Sequence, residues 1–194
     1  LTWSDTVEKT RTMVNEVRSG APNTLIGSGI PSIGAYSSEQ EALRLAGEYI
    51  AMGVDIIYCS GLVPDTFAAL RRHHYPCVGH VGYLPVQDTW FGGPRAVGKK
   101  SEEAIKVYEN TLALQDAGVV AVEMECVPAD IAAEISKRVD ILVISMGSGP
   151  QCDGQFLFAC DILGTHDGHY PRHSKTYANL RETATNAMTQ YKDD

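Results

Sequence analysis

Apolar positions along the chain alternate between two periods, and the alternation repeats. Near residues 4–19, Val7, Met13, Val14 and Val17 fall at helical spacing, with Ser4 placed to cap the helix. Thr24–Gly29 reads as a short strand. From Ser37 to Met52 the spacing predicts a strong helix: Ser38 can cap it, and Ala42, Leu45, Ala46, Tyr49 and Ile50 form one apolar stripe that Gly53 ends. Val54–Cys59 is a β-branched run, the mark of a buried strand. Then follow a helix at Asp65–Arg72, a strand at Cys77–Val81 and a long polar loop at 84–99 rich in Gly and Pro. Ser101–Ala117 predicts a second strong helix, opened by Ser101 and Glu103 and closed by Gly118. A strand at Val119–Met124, a helix at Ala129–Arg138, a strand at Ile141–Met146, a weaker strand at Phe156–Ala159 and a closing helix at 174–191 complete the pattern.

Apolar strands alternating with amphipathic helices specify a parallel sheet covered by helices. A doubly wound sheet and a (β/α)₈ barrel both fit. No G-x-G-x-x-G follows the first strand, which removes support for the dinucleotide-binding form. About six strands can be counted, whereas a full barrel has eight and typically about 250 residues. The chain has 194 residues, so it is either an open sheet or a barrel from which two βα units are missing.

Composition narrows the function. The formal charge is −8, from 16 Lys plus Arg against 24 Asp plus Glu, which argues against a nucleic-acid partner. The longest apolar runs are strand-length, so no membrane partner is expected. Five cysteines without a C-x-x-C pair fit a reducing, cytoplasmic setting.

In either architecture the chemistry sits at the C-terminal ends of the strands. His80 follows an apolar strand and stands between Gly79 and Val81-Gly82. Glu123 and Glu125 are two apart on one strand and so share a face. A carboxylate in such a mouth is costly unless it is paired, metal-bound or acting as a base. A solvated strand-end carboxylate and a hydrogen-bonded core histidine are the plainer alternatives. Gly147–Gln155 is a glycine-rich turn of the kind that can cradle phosphate, though ordinary turns look the same. The adjacent His73 and His74 read as a wet loop, and Trp90-Phe91 as an exposed apolar pair.

Taken in order, these strand ends resemble one family. The strings are Pro76-Cys77-Val78-Gly79-His80-Val81-Gly82-Tyr83-Leu84-Pro85, Glu125-Cys126-Val127-Pro128 and Gly147-Ser148-Gly149-Pro150-Gln151-Cys152-Asp153-Gly154-Gln155, followed by Asp161-Ile162-Leu163-Gly164. They resemble ketopantoate hydroxymethyltransferase, of the phosphoenolpyruvate mutase and isocitrate lyase superfamily. The resemblance implies a (β/α)₈ barrel over residues 1–194 as one domain, N-terminally incomplete, with the first two βα units absent from the sequence. It implies transfer of a hydroxymethyl group from methylene-tetrahydrofolate to 2-oxoisovalerate through an enolate, in pantothenate synthesis, by a cytoplasmic homo-oligomer acting on a small 2-oxo acid. It makes Glu125 the base and places His80 in the pocket. The family's Mg²⁺ is held by carboxylates, and two of those positions are Gly29 and Ser60 here, with Tyr58 in place of a lysine. Residues 20–38 contain no Asp or Glu. The usual metal site therefore reads as dismantled, and Tyr58, Ser60, Ser32 and His80 become the candidate substrate-binding residues. Two other readings stay open: a metal-independent lyase or aldolase acting on another oxo acid, and a non-catalytic paralogue.

Overall fold

The computed structural model describes residues 3–31, 38–61 and 63–194, with the backbone alone for residues 3–5. Among these residues six strands form one parallel sheet: β1 (Gly27–Gly29), β2 (Ile56–Tyr58), β3 (Cys77–Gly82), β4 (Ala121–Glu125), β5 (Leu142–Met146) and β6 (Gly154–Gln155). Their spatial order is their order in the chain. A doubly wound sheet reverses its order at a switch point. A sheet that adds each new strand on the same side belongs to the barrel series, and this decides between the two architectures.

Helices cover one face: α1 (Trp3–Gly20), α2 (Glu39–Ala51), α3 (Pro64–Arg72), α5 (Ser101–Ala117) and α6 (Ala129–Ser136). Ser38 caps α2, its hydroxyl accepting from Glu41 N at 3.1 Å, as its position predicts. Ala42, Leu45, Ala46 and Tyr49 are buried beneath it. Strand residues pointing toward the helices make the core, with Ile57, Val81, Val122, Met124 and Val143 almost wholly buried. Gly79 lets α5 approach β3: a Cβ there would lie 2.8 Å from Leu114 Cδ1. Arg18 on α1 bonds the carbonyls of Thr24 and Gly53 and pairs with Asp55 at 2.5 Å, while Asp55 accepts from Ile26 N. These bonds tie α1 to the starts of β1 and β2.

Several boundaries differ from the sequence pattern. The first helix begins at Trp3, so Ser4 lies inside its first turn instead of capping it. Lys100, not Ser101, precedes the first turn of α5, and no side chain caps it; Glu103 instead accepts from Gly98 N and pairs with Arg95. The loop at 84–99 contains a 3₁₀ turn (Pro85–Gln87) and a short helix, α4 (Asp88–Phe91). Only Trp90 of the apolar pair is exposed, at 89%; Phe91 packs on Tyr83 and under Arg95. The weak strand expected at Phe156–Ala159 is absent. Pairing starts earlier, at Gly154–Gln155, and ends with the Phe156 N to Ser145 O bond, after which α7 (Ala159–Leu163) begins. The closing helix α8 runs from Leu180 to Asp193.

The glycine-rich turn after β5 is a packing device. Ser148 is buried; its hydroxyl donates to Met124 O at 2.8 Å and accepts from Val127 N at 2.9 Å. Asp153 accepts from Val143 N, and a Cβ on Gly147 would meet the His173 ring. Ser148→Ala strands the buried Val127 N–H and is expected to cost about 1–3 kcal/mol in urea unfolding. A change below about 0.5 kcal/mol would show that this bond does not hold the β4 and β5 ends together.

Candidate active site

The face of the sheet away from the helices bounds an open cavity of about 630 Å³. Alternate strand residues line it: Gly27 and Gly29 on β1, Ile56 and Tyr58 on β2, Val78 and His80 on β3, Glu123 and Glu125 on β4, Ile144 and Met146 on β5. Ser60 continues the same row beyond β2, and Phe156 and Phe158, packed edge to face, close one side. The period of two in the strands puts every polar residue at the deep end of this row on a common face.

Four of the sequence-selected residues meet here. His80 Nδ1 lies 2.8 Å from both the Tyr58 and the Ser60 hydroxyls, and Nε2 lies 3.0 Å from Glu125 Oε2. Burial, then the neighbouring charge of Glu123, pushes the Tyr58 phenol far above its usual range, so it stays a hydrogen-bond donor. Ser32 lies outside the described residues. Gly29 stands beside Tyr58: a Cβ on it would be 3.3 Å from Tyr58 Cδ1, so the Tyr58 ring occupies the room a longer side chain would need.

Glu123, which the strand pattern puts on the same face as Glu125 but which is not among the expected site residues, lines the same cavity. It pairs in register with His80 and is 6% exposed. Burial raises its pKa; the nearby His80 charge and Tyr58 hydroxyl oppose the rise, and Glu125 adds to it. The signal that could have identified it was the shared face with Glu125. His73 and His74 are exposed and away from the cavity lining, as expected.

The backbone turns sharply where Glu125 ends its strand. Cys126 has φ of +52°, a costly conformation for a non-glycine residue. Its N–H bonds Met146 O and its carbonyl accepts from Val97 N. Gly82, at φ +88°, lies against the Glu125 carbonyl, and Tyr83 N donates to that oxygen at 2.9 Å. Glu125 is thus fixed from both neighbouring strands.

The family model described as ketopantoate hydroxymethyltransferase matches residues 1–194. The chain belongs to that family. A relative from Acetivibrio thermocellus named 3-methyl-2-oxobutanoate hydroxymethyltransferase is 36% identical over 197 aligned residues, covering 100% of this chain and 68% of the relative. One of the same name from Staphylothermus marinus is 36% identical, covering 93% and 67%. The chain therefore spans about two thirds of the length of these family members. Among solved structures, phosphonopyruvate hydrolase in complex with oxalate and Mg²⁺ superposes with a TM-score of 0.57 at 12% identity, covering 98% of this chain and 65% of that one. Phosphoenolpyruvate phosphomutase from Streptomyces platensis subsp. rosaceus gives 0.57 at 9% identity, covering 100% and 67%. These likenesses show that the chain shares its fold with those two enzymes. Family membership favours neither a lyase nor a non-catalytic paralogue.

The family resemblance calls for carboxylates around Mg²⁺ at the positions of Gly29 and Ser60. Mg²⁺ takes octahedral oxygen ligands with carboxylate charge. A glycine shadowed by the Tyr58 ring and a serine engaged with His80 supply none. The residues at those two positions do not fit that metal seat.

Proposed function

We propose that the protein forms a ketopantoate-type product by moving a hydroxymethyl group from methylene-tetrahydrofolate onto 2-oxoisovalerate. The observation that carries this reading is Glu125, which ends its strand in the cavity with its carboxylate 3.0 Å from His80 Nε2. The Glu125 carboxylate removes the proton from C3 of the oxo acid. Water opens the methylene bridge, so that tetrahydrofolate leaves as the free amine and its one carbon is delivered as formaldehyde; the enolate carbon adds to that carbon, and the new alkoxide takes back the proton that Glu125 removed, giving the hydroxymethyl group. The Tyr58 and Ser60 hydroxyls, both 2.8 Å from His80 Nδ1, face the oxygen on which negative charge develops, where preorganised donors lower the barrier. Ile56, Val78, Ile144 and Met146 match the branched aliphatic end of the substrate.

The reading includes a single barrel domain over residues 1–194, working as a homo-oligomer in the cytoplasm without a nucleic-acid or membrane partner. The acidic balance supports the absence of a nucleic-acid partner, and among the described residues no helix is long and apolar enough to cross a membrane.

The test is exchange of the C3 proton of 2-oxoisovalerate for solvent deuterium, followed by NMR with and without added divalent cation. Product formation with methylene-tetrahydrofolate is measured beside it. Exchange without the folate is expected, because proton removal precedes carbon transfer. Absence of both exchange and product under every condition would overturn the reading.

A further inference from the structure

The positions of Gly29 and Ser60 offer no carboxylate, yet three other ligating side chains converge further round the same sheet. His80 on β3 stands opposite Glu123 on β4, and Glu125 lies two residues up the same face. One ligand atom from each of the three lies within 4.8 Å of the others. The His80 side chain is only 2% exposed, and its Nε2 has no hydrogen-bond partner. Glu125 Oε2 is 3.0 Å away, but the contact fails hydrogen-bond geometry.

That combination is what two ligands of one ion display. With metal–ligand bonds of about 2.1 Å, neighbouring ligands of an octahedral ion are about 3.0 Å apart, and neither points its proton at the other. The opposite end of the ring is arranged to match. A metal-bound imidazole carries its remaining proton on the other nitrogen and donates it to a fixed acceptor. His80 Nδ1 has two hydroxyls at 2.8 Å for that purpose, Tyr58 and Ser60. Two carboxylates on one face of a buried site also repel each other and lose hydration, and a divalent charge removes both penalties.

The geometry points to a divalent-cation site made by His80 Nε2, Glu123 and Glu125, displaced from the seat that Gly29 and Ser60 cannot form. Glu125 binds through one oxygen and keeps the other toward substrate. One imidazole with two carboxylates favours a transition ion such as Mn²⁺ over Mg²⁺, which prefers oxygen alone. Ser60 becomes a positioning residue for the His80 ring. The site goes beyond the proposed reaction, and it would stand equally if the substrate were a different oxo acid.

The experiment is titration of the chelator-stripped full chain with Mn²⁺, followed by the loss of the free-ion paramagnetic resonance signal and by calorimetry. One Mn²⁺ per chain is expected, with Mg²⁺ competing only at much higher concentration. Glu123→Gln keeps the shape of the side chain and should weaken Mn²⁺ binding at least tenfold. His80→Asn is the second variant, and circular dichroism confirms that each folds. Ser60→Ala should weaken binding by about tenfold through loss of the ring's orientation. No Mn²⁺ binding by the folded parent, or equal binding by folded Glu123→Gln, would overturn the site. Deuterium exchange in a chain that binds no Mn²⁺ would overturn the cation site and leave the reaction standing. Mn²⁺ binding that Glu123→Gln abolishes, in a chain that exchanges no proton, would do the reverse.

Discussion

Glu125→Gln is expected to slow exchange of the C3 proton of 2-oxoisovalerate by about 10²–10⁴-fold, the usual contribution of a positioned general base. The amide is nearly the same size as the carboxylate but cannot accept the proton. The side chain sits at the end of β4, where Cys126 turns the backbone out of the sheet. Its neighbours Gly82 and Tyr83 hold the main chain, not the carboxylate, so the fold should survive the change. The loss should appear in kcat at saturating oxo acid and saturating Mn²⁺. That condition separates a base from a ligand: Glu123→Gln should be largely rescued by excess Mn²⁺, and Glu125→Gln should not. Exchange in Glu125→Gln within tenfold of the parent would remove Glu125 from its role.

The sheet was legible because its strands are nearly continuous apolar runs and its helices carry one apolar stripe. Ile57, Val81, Val122 and Val143 follow each other around the sheet as the pattern implies. The strand order was not legible. Nothing in the runs themselves separates a sheet that keeps adding strands on one side from one that doubles back, because both bury strands on two faces. The strand expected at Phe156–Ala159 failed for a related reason. Phe156 and Phe158 are apolar because they line the cavity, and the paired residues are the less conspicuous Gly154 and Gln155.

At the site, strand-end polarity singled out His80 and Glu125, and family motifs added Tyr58 and Ser60. What the sequence concealed was depth. Glu123 looks like any charged residue near a strand mouth, yet its register with His80 places it inside the cavity. Register depends on how β3 and β4 slide past each other, and that is fixed by packing remote from the site, including Leu114 over Gly79. The glycine-rich turn illustrates the converse. Its composition suggested anion binding, while Ser148 and Asp153 are committed to backbone N–H groups of neighbouring segments.

Gly82→Ala is expected to damage both the fold and the site. Gly82 has φ of +88°, a left-handed conformation that costs an L-residue about 1–2 kcal/mol. A Cβ built there lies 2.3 Å from the Glu125 carbonyl oxygen and 2.7 Å from Val127 Cγ2. The first of these is backbone, bonded to Tyr83 N, and cannot rotate away. Overpacking of this kind adds about 1–3 kcal/mol. The total, about 3 kcal/mol or more, is a large share of an ordinary stability of about 5–15 kcal/mol. For a chain of this size it should lower Tm by about 6–12 °C. Gly92 supplies the control. It has φ of +72° but nothing within 4 Å of its Cβ position, so Gly92→Ala pays only the conformational term, about 1 kcal/mol. Any Gly82→Ala protein that folds must also push the Glu125 main chain outward, and its proton exchange should fall well below that of Gly92→Ala. Equal Tm values for the two variants would mean that β3 and β4 part easily at their ends, and that Glu125 is not held as rigidly as the Tyr83 bond and the Cys126 turn imply.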